Sequence, residues 1–263
     1  MSKGANDVYF PVLRSGAAAQ YPVARMIRHG LIRAEAPGGA VWLSPSGAQP
    51  VRRWQIRFHD LTDAEIEALL QFHEACGGWK TFRFADPMAN LLRWSEDLTM
   101  PVWGRSAGIT VTRTGQDADG ASEFLIVNTS AGVGYIWQDL DLAPGAICCF
   151  SCELWSAGID QAVLHAAGER KVVAGAGAWK LEHVTGVSPG GPQPVQIEIG
   201  AGGSLFVRRL MAELQLAPSS YKPSFEDGGV YASTRFALDG IRVVTTGPDR
   251  HSAEILLETV AEN

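Results

Sequence analysis

Residues 90–98 are Asn90-Leu91-Leu92-Arg93-Trp94-Ser95-Glu96-Asp97-Leu98, and residues 212–224 are Ala212-Glu213-Leu214-Gln215-Leu216-Ala217-Pro218-Ser219-Ser220-Tyr221-Lys222-Pro223-Ser224. These two stretches bracket a long β-rich segment. The residues outside the bracket look like two halves of one smaller domain. We therefore predict a scaffold domain, residues 1–89 plus 225–263, that carries residues 90–224 as an inserted domain. Such an organisation favours attachment over catalysis.

The bracketed segment alternates short apolar runs with turn residues, and it lacks a helical pattern. Asp119-Gly120, Pro144-Gly145 and residues 200–203 supply turns through glycine or proline. About eight strands predict a two-sheet jelly roll. The predicted strands are Ile109–Arg113, Glu123–Val127, Tyr135–Leu142, Ile147–Trp155, Gln161–Ala166, Lys171–Ala174, Val195–Ile199 and Leu205–Leu214.

The first 89 residues predict strands and one helix. Trp54–His59 alternates apolar and polar residues, as a half-buried strand does. Thr62 and Glu65 have the spacing of a capping box, so a helix is expected to begin there and to end near Gly77-Gly78. Trp79–Pro87 alternates again and predicts a second strand.

The last residues predict a hairpin. Residues 241–246 and 253–260 are apolar enough for two strands, and residues 247–252 form a longish loop between them. A lone hairpin is marginal in water, so these strands are expected to pack on those of residues 1–89. The predicted fold class is therefore mainly β: a split, β-rich (α+β) domain with one helix, carrying an inserted β-sandwich.

Composition excludes several classes of function. The net charge is −6 and the sequence has no concentrated basic stretch, so nucleic acid is not expected as a partner. No apolar run approaches the roughly 18 residues of a membrane span. The first residues lack the features of a secretory signal, which predicts folding in the cytoplasm.

Three cysteines, Cys148, Cys149 and Cys152, lie close together in the sequence. In a strand, Cys149 and Cys152 point to opposite faces, and Cys148 and Cys152 are about 13 Å apart. That distance excludes a disulfide. The spacing therefore predicts small buried apolar residues, with no metal site.

The candidate ligand-binding residues lie mainly in one predicted strand. Tyr135, Trp137, Asp139 and Asp141 share one face, and Trp155 is a further candidate. Aromatic faces stack on the apolar C–H faces of sugar rings, and carboxylates accept hydrogen bonds from hydroxyl groups. The residues therefore predict a carbohydrate-binding surface. The alternative is that Tyr135 and Trp137 are half-buried strand residues at a contact between domains.

No catalytic residue is predicted. Asp139 and Asp141 would lie about 7 Å apart, which is within the range of glycosidase carboxylates, but any two acids separated by one strand residue give this distance. Histidines with metal-ligand spacing and a nucleophile elbow are both missing from the sequence. Asp117, Asp119 and Glu123 permit a structural calcium ion without requiring it, and no other cofactor is expected.

Residues 8–87 resemble a family of minor tail proteins of tailed bacteriophages and gene transfer agents. The resemblance rests on Tyr9-Phe10-Pro11-Val12-Leu13, on Arg53–Phe58, on the helix and above all on Phe82-Arg83-Phe84-Ala85-Asp86-Pro87. It implies a virion component near the distal end of the tail, assembled in the host cytoplasm. Other tail proteins are the implied partners, and a homo-oligomeric ring is the implied assembly.

The middle of the chain resembles the carbohydrate-binding-like jelly rolls of phage tail proteins. The opening Asn-Leu-Leu-x-x-Ser-Glu-Asp is followed by Trp103, and Gln138, Pro144-Gly145 and Phe150 match the interior pattern. The closing stretch, 213–224, is an altered version of the usual ending. The resemblance implies adhesion to a host-surface glycan. A polysaccharide-degrading tail enzyme and a purely architectural spacer are the alternatives.

Overall fold

The computed structural model describes residues 8–47, 49–156, 161–174 and 177–260. The chain is mainly β, as the sequence predicts. The helix in the described part, α1, lacks the length and apolar character that a membrane crossing requires. In chain order the elements are β1 (Val23–Arg28), β2 (Leu31–Glu35), β3 (Val41–Pro45), β4 (Val51–Leu61), α1 (Asp63–Cys76), β5 (Phe82–Ala85), β6 (Gly104–Arg105), β7 (Ile109–Gln116), β8 (Ser122–Asn128), β9 (Gly134–Leu142), β10 (Ile147–Trp155), β11 (Gln161–Ala166), β12 (Glu169–Ala174), β13 (Lys180–Val187), β14 (Gly191–Ile199), β15 (Ser204–Glu213), β16 (Val230–Phe236), β17 (Arg242–Gly247) and β18 (Arg250–Thr259).

The chain divides into two compact units. The first comprises residues up to 11, residues 19–84 and residues from 231 onward, and the second comprises residues 12–18 and 85–230. Compared with the predicted boundaries, the second unit also takes in residues 12–18 and a few residues on either side of 90–224. The assignment of one unit to tail assembly and the other to carbohydrate binding stays a prediction.

The first unit is built on a sheet with the strand order β1-β4-β18-β16-β5, and β17 pairs with β18. β18, the last strand described, pairs antiparallel with β4, with Glu258 opposite Arg53. The loop between β17 and β18 is only residues 248–249, shorter than the longish loop predicted. Trp54, Ile56 and Phe58 of β4 are buried.

Helix α1 has the predicted ends. Glu65 donates its backbone N–H to Thr62 Oγ1 at 3.3 Å, and Thr62 donates its own to Glu65 Oε2 at 3.0 Å. Gly77 ends the helix at a φ of 55°, which favours glycine. The Phe72 and Phe82 rings lie 5.0 Å apart, edge to face, and hold the helix on the sheet.

Several elements differ from the sequence prediction. The strand predicted at Trp79–Pro87 is shorter, because β5 covers only Phe82–Ala85 and Trp79 is 74% exposed. Strands β1, β2, β3, β6 and β13 were not predicted. β2 and β3 pair as a hairpin in which every residue is exposed.

The second unit is a β-sandwich of two five-stranded antiparallel sheets. One sheet has the order β13-β10-β15-β8-β7 and the other β12-β11-β14-β9-β6. The predicted sandwich is therefore confirmed. Its core includes Phe124, Ile126, Ile136, Phe150, Leu164, Ile197 and Val207, which are buried from both sheets.

The cysteines of β10 are buried free thiols. Cys148 and Cys152 belong to the core of the sandwich, and Cys149 is buried on the other face of the strand. Burial raises the pKa of the Cys148 thiol to about 12. A protonated, enclosed thiol is neither a good nucleophile nor a good metal ligand.

The two ends of the second unit lie side by side. Asp86 donates its backbone N–H to the Gly229 carbonyl at 2.8 Å, and Gly229 donates to the Asn90 carbonyl at 2.9 Å. A Cβ at Gly229 would lie 2.8 Å from the Ala89 side chain. Glycine is therefore required for this close approach of the entering and leaving chain.

Candidate functional site

Four outward side chains form a row across one sheet of the sandwich. Trp137 of β9 lies opposite Gln196 of β14. Gln196 lies opposite His165 of β11, and His165 lies opposite Arg170 of β12. Residues that are paired across strands point to the same face of a sheet. Because neighbouring strands are about 4.8 Å apart, the row extends about 14 Å from Trp137 to Arg170.

Strand β9 supplies four of the five predicted site residues. Tyr135, Trp137 and Asp141 are half-buried and Asp139 is exposed, whereas the residues between them are buried. All four therefore lie on the outer face, which is the division of faces expected from the sequence. On the inner face, Gln138 accepts the Arg93 N–H at 2.7 Å and donates to the Arg93 carbonyl at 3.0 Å.

Trp137 lies over the edge strand β6. Gly104 is its cross-strand partner, and a Cβ at Gly104 would lie 2.4 Å from Trp137 Cε2. The missing side chain of Gly104 leaves the space that the indole ring occupies. The ring therefore rests against the backbone of β6 and turns its opposite face away from the sheet. An indole supported in this way presents a flat apolar surface for a sugar ring.

Polar groups surround this aromatic surface. His165 Nε2 lies 3.1 Å from Glu198 Oε2, and both side chains are partly exposed. Glu198 is the cross-strand partner of Tyr135. The amide, imidazole and guanidinium groups of the row and the carboxylate of Glu198 beside it offer both donors and acceptors to hydroxyl groups.

Trp155 lies on the other sheet, so the structure separates it from the four residues of β9. Its ring stacks on that of Phe206 with centroids 4.5 Å apart, and Trp179 lies 6.1 Å away. The Arg208 guanidinium lies over the Trp179 ring at 4.2 Å. These contacts form a separate aromatic cluster.

A bulge in β15 places two arginines next to each other among acidic residues. The pairing of β10 with β15 shifts register here, and Arg209 has a φ of 55°. Arg208 donates to Glu123 Oε1 at 2.8 Å and to Glu153 Oε2 at 2.6 Å. Arg209 donates through Nε to Asp117 Oδ2 at 2.8 Å.

These two arginines form ion pairs with the acidic residues that the sequence offers as possible calcium ligands. Asp117 and Asp119 bind Arg209, and Glu123 binds Arg208. Burial raises the pKa of the Asp117 carboxyl, but the Ala121 amide and the Arg209 guanidinium outweigh it and hold this pKa below its usual value. Within the described ranges, no three His, Cys, Asp or Glu side chains form a metal-binding group. Calcium stays a prediction, and it would have to displace the arginines.

The second unit also contains an open cleft of about 590 Å³. Its walls come from the opening stretch at Trp94, the closing stretch at Tyr221 and Pro223, the following Phe225, and strands between them. This volume is typical of sites that hold small ligands. The lining residues are Trp94, Glu96, Asp97, Arg113, Gln116, Asp119, Gly120, Ala121, Ser122, Arg209, Tyr221, Pro223 and Phe225.

Sequence reasoning missed most residues of the row from Trp137 to Arg170 and most residues of the cleft. Gln196 and Glu198 alternate with buried Val195, Ile197 and Ile199, and this period of two could have placed them on an outer face. The cleft has no comparable signal, because its residues come from segments more than 100 positions apart.

Comparison with family models and with curated proteins finds no match. Among solved structures, the enzymatically active domain of bacteriophage CBA120 tailspike protein 4 matches 49% of this chain at 15% identity and a TM-score of 0.39. The match spans only 22% of the tailspike chain, well under two thirds of its length. The CBM22-1 xylan-binding domain of Paenibacillus barcinonensis Xyn10C matches 51% of this chain and 100% of its own, at 14% identity and a TM-score of 0.39. TmCBM61, solved in complex with β-1,4-galactotriose, matches 48% and 99%, at 12% identity and a TM-score of 0.37. Similarity at this level gives no information on ligand or role.

Proposed function

We propose that this chain is a structural component of a phage-type tail tip that binds host-surface glycans through its β-sandwich. The first unit docks into the tail assembly, and the sandwich is the adhesion domain. The chain is not an enzyme in this proposal, and its role requires no cofactor. The virion tail is its location.

The observation that carries the glycan half of the proposal is the row from Trp137 to Arg170. It combines a supported indole face with donors and acceptors on three neighbouring strands. Sugars are bound by this combination, because their rings have apolar C–H faces and hydroxyl edges.

The tail half of the proposal rests on the resemblance of residues 8–87 to minor tail proteins and on the β2–β3 hairpin. This hairpin exposes Leu31, Ile32, Val41, Trp42 and Leu43 by 45–63% each. Contiguous exposed apolar residues are typical of protein contact surfaces. A hairpin with no buried residue suits an element that becomes covered in an assembly, such as a ring of identical copies.

Two alternatives give different measurable outcomes. A polysaccharide-degrading enzyme would release reducing ends from capsular or cell-wall glycan, whereas an adhesion domain only binds. Asp139 and Asp141 are neighbours on one outer strand face, and neither lines the cleft described above. A spacer would bind no glycan and would bury a large protein interface.

Glycan-array binding followed by calorimetric titration tests the adhesion role. We expect Trp137→Ala to abolish binding without unfolding the sandwich, as a retained cooperative melt would show. Gly104→Ala should weaken binding as well, because its Cβ displaces the indole ring. Gly200→Ala, where a Cβ meets no atom within 4 Å, and Trp155→Ala on the other sheet are the controls and should retain affinity. Unchanged binding by Trp137→Ala would exclude this surface.

A further inference from the structure

The cleft between the opening and closing stretches contains an arginine at a position that the sheet turns inward. In β7, Arg113 is paired with Phe124, just as Val111 is paired with Ile126. Phe124 and Ile126 are core residues, so Arg113 continues the core-facing side of an edge strand. It is nevertheless exposed, because the cleft opens at this point.

Arg113 has no acidic partner among the described residues. Its Nη2 donates to Ser122 Oγ at 2.9 Å, and none of the ion pairs between described residues includes its guanidinium. The other arginine of the cleft, Arg209, is bound by Asp117, Asp119 and Glu153. Arg113 is therefore the cation of this cleft that remains available to an anionic ligand.

The acidic residues of the cleft are bound elsewhere. Glu96 accepts the Ser122 N–H at 2.7 Å and the Tyr221 hydroxyl. Asp97 accepts the Thr99 N–H at 2.9 Å. These contacts fix the positions of the two carboxylates, and neither forms an ion pair with Arg113 among the described residues.

Aromatic side chains form the walls beside this cation. The Trp94 N–H donates to the Phe225 carbonyl at 2.6 Å, which places these two residues next to each other on one wall. Phe225 is 58% exposed, and Tyr221 is a further aromatic residue that lines the cleft. Large aromatic surfaces that remain open to solvent are available for stacking on a ligand ring.

We propose that this cleft binds a sugar acid, with the ring stacked on Trp94 and Phe225 and its carboxylate held by Arg113. The guanidinium fork matches a carboxylate in a bidentate geometry, and the aromatic walls accept the apolar face of a pyranose. The inference rests on the proposed glycan-binding role of the sandwich. It adds a second site, on different strands from the Trp137 row, with a preference for acidic glycans.

Calorimetry of the full chain at low ionic strength tests this site. The probes are tetragalacturonate, tetramannuronate and trisialic acid, each compared with its carboxyl-reduced, neutral counterpart. We expect at least one acid to bind and carboxyl reduction to weaken it by about 10- to 100-fold, the range for a charge-assisted hydrogen-bonded pair. Arg113→Ala should weaken the acid by the same factor, and Arg113→Lys should restore only part of the loss, because an ammonium cannot bind bidentately.

The control is Lys180→Ala, which removes an exposed cation from β13, the opposite edge of the same sheet. It should leave the affinity unchanged. Circular dichroism melts establish that each variant folds. The proposal is overturned if Arg113→Ala binds the acid as tightly as the unmodified chain, if the neutral counterparts bind equally well, or if none of the acids binds. If a neutral glycan still binds in those cases and Trp137→Ala abolishes that binding, only the second site is excluded. If no glycan binds at all, the proposed adhesion role is excluded too.

Discussion

Ser95 and Ser224 bind each other reciprocally although they are 129 positions apart. The Ser95 N–H donates to Ser224 Oγ at 3.2 Å, and the Ser224 N–H donates to Ser95 Oγ at 2.9 Å. The Ser95 hydroxyl also lies 2.9 Å from the Tyr221 hydroxyl. Both serines are buried. The opening and closing stretches of the second unit are thus held together by side chains of the two bracketing motifs.

Asn90, five residues before Ser95, has the same function, and its removal should destabilise the second unit. Its Nδ2 donates to the carbonyls of Leu210 and Lys222 at 3.0 Å, and its Oδ1 accepts the N–H groups of Leu92 and Ala212. Asn90→Ala leaves four backbone groups without these partners, so we expect the free energy of unfolding to fall by about 3 kcal/mol. Urea unfolding measures it.

The control for Asn90→Ala is Gln71→Ala on the exposed side of α1. The Gln71 side chain donates to Glu67 Oε1, four residues earlier, in an exposed pair. Its free energy of unfolding should therefore change by less than about 0.5 kcal/mol. Equal effects of the two substitutions would show that Asn90 does not hold the ends of the second unit together.

Local sequence patterns predicted strands that are largely buried, such as β10, or whose burial alternates, such as β8 and β9. β10 and β11 were predicted at their observed bounds, Ile147–Trp155 and Gln161–Ala166. β2 and β3 were missed because every residue in them is exposed, so no burial pattern distinguishes one face from the other. A pattern of this kind arises from a core, and the hairpin has none.

The candidate site shows a second limit of sequence reasoning. Alternation identifies the face of its own strand on which a residue lies, and it placed Tyr135 and Trp137 together. It does not identify the sheet that the strand joins, so Trp155 could not be separated from them before the topology was known. The place of Arg113 in the cleft depends on chain segments that meet only through long-range pairing. Local periodicity carries no information on such contacts.

Glu213 should make the second unit sensitive to acid. Burial raises the pKa of its carboxyl, but the Lys222 ammonium and the Ser219 amide and hydroxyl outweigh it, so this pKa lies below its usual value. A lowered carboxyl pKa stabilises the fold above the unfolded pKa of about 4.3, and the contribution is lost as the pH falls through the folded pKa.

We therefore expect the free energy of unfolding to decrease as the pH falls below about 4.3. Glu213→Gln should be less stable at neutral pH, because Lys222 loses its buried partner, and its stability should depend less on pH in the acid range. Urea unfolding between neutral and acidic pH measures both profiles. Parallel profiles for the two proteins would exclude Glu213 as the source of the acid sensitivity.

Trp42 on the β2–β3 hairpin should contribute to self-association and not to folding. It is 59% exposed, and the neighbouring Leu43 is 63% exposed, so Trp42→Ser removes little buried surface and should leave the melting temperature unchanged. Exposed tryptophans are frequent energetic centres of protein interfaces, so we expect the dissociation constant for self-association to rise at least about 10-fold. Sedimentation velocity over a concentration series measures this change.

The matched control is Trp79→Ser, which removes a tryptophan that is 74% exposed but lies outside the hairpin, after α1. If Trp42→Ser and the unmodified chain sediment alike at every concentration, or if Trp79→Ser causes the same loss, the hairpin is not the surface through which identical copies meet.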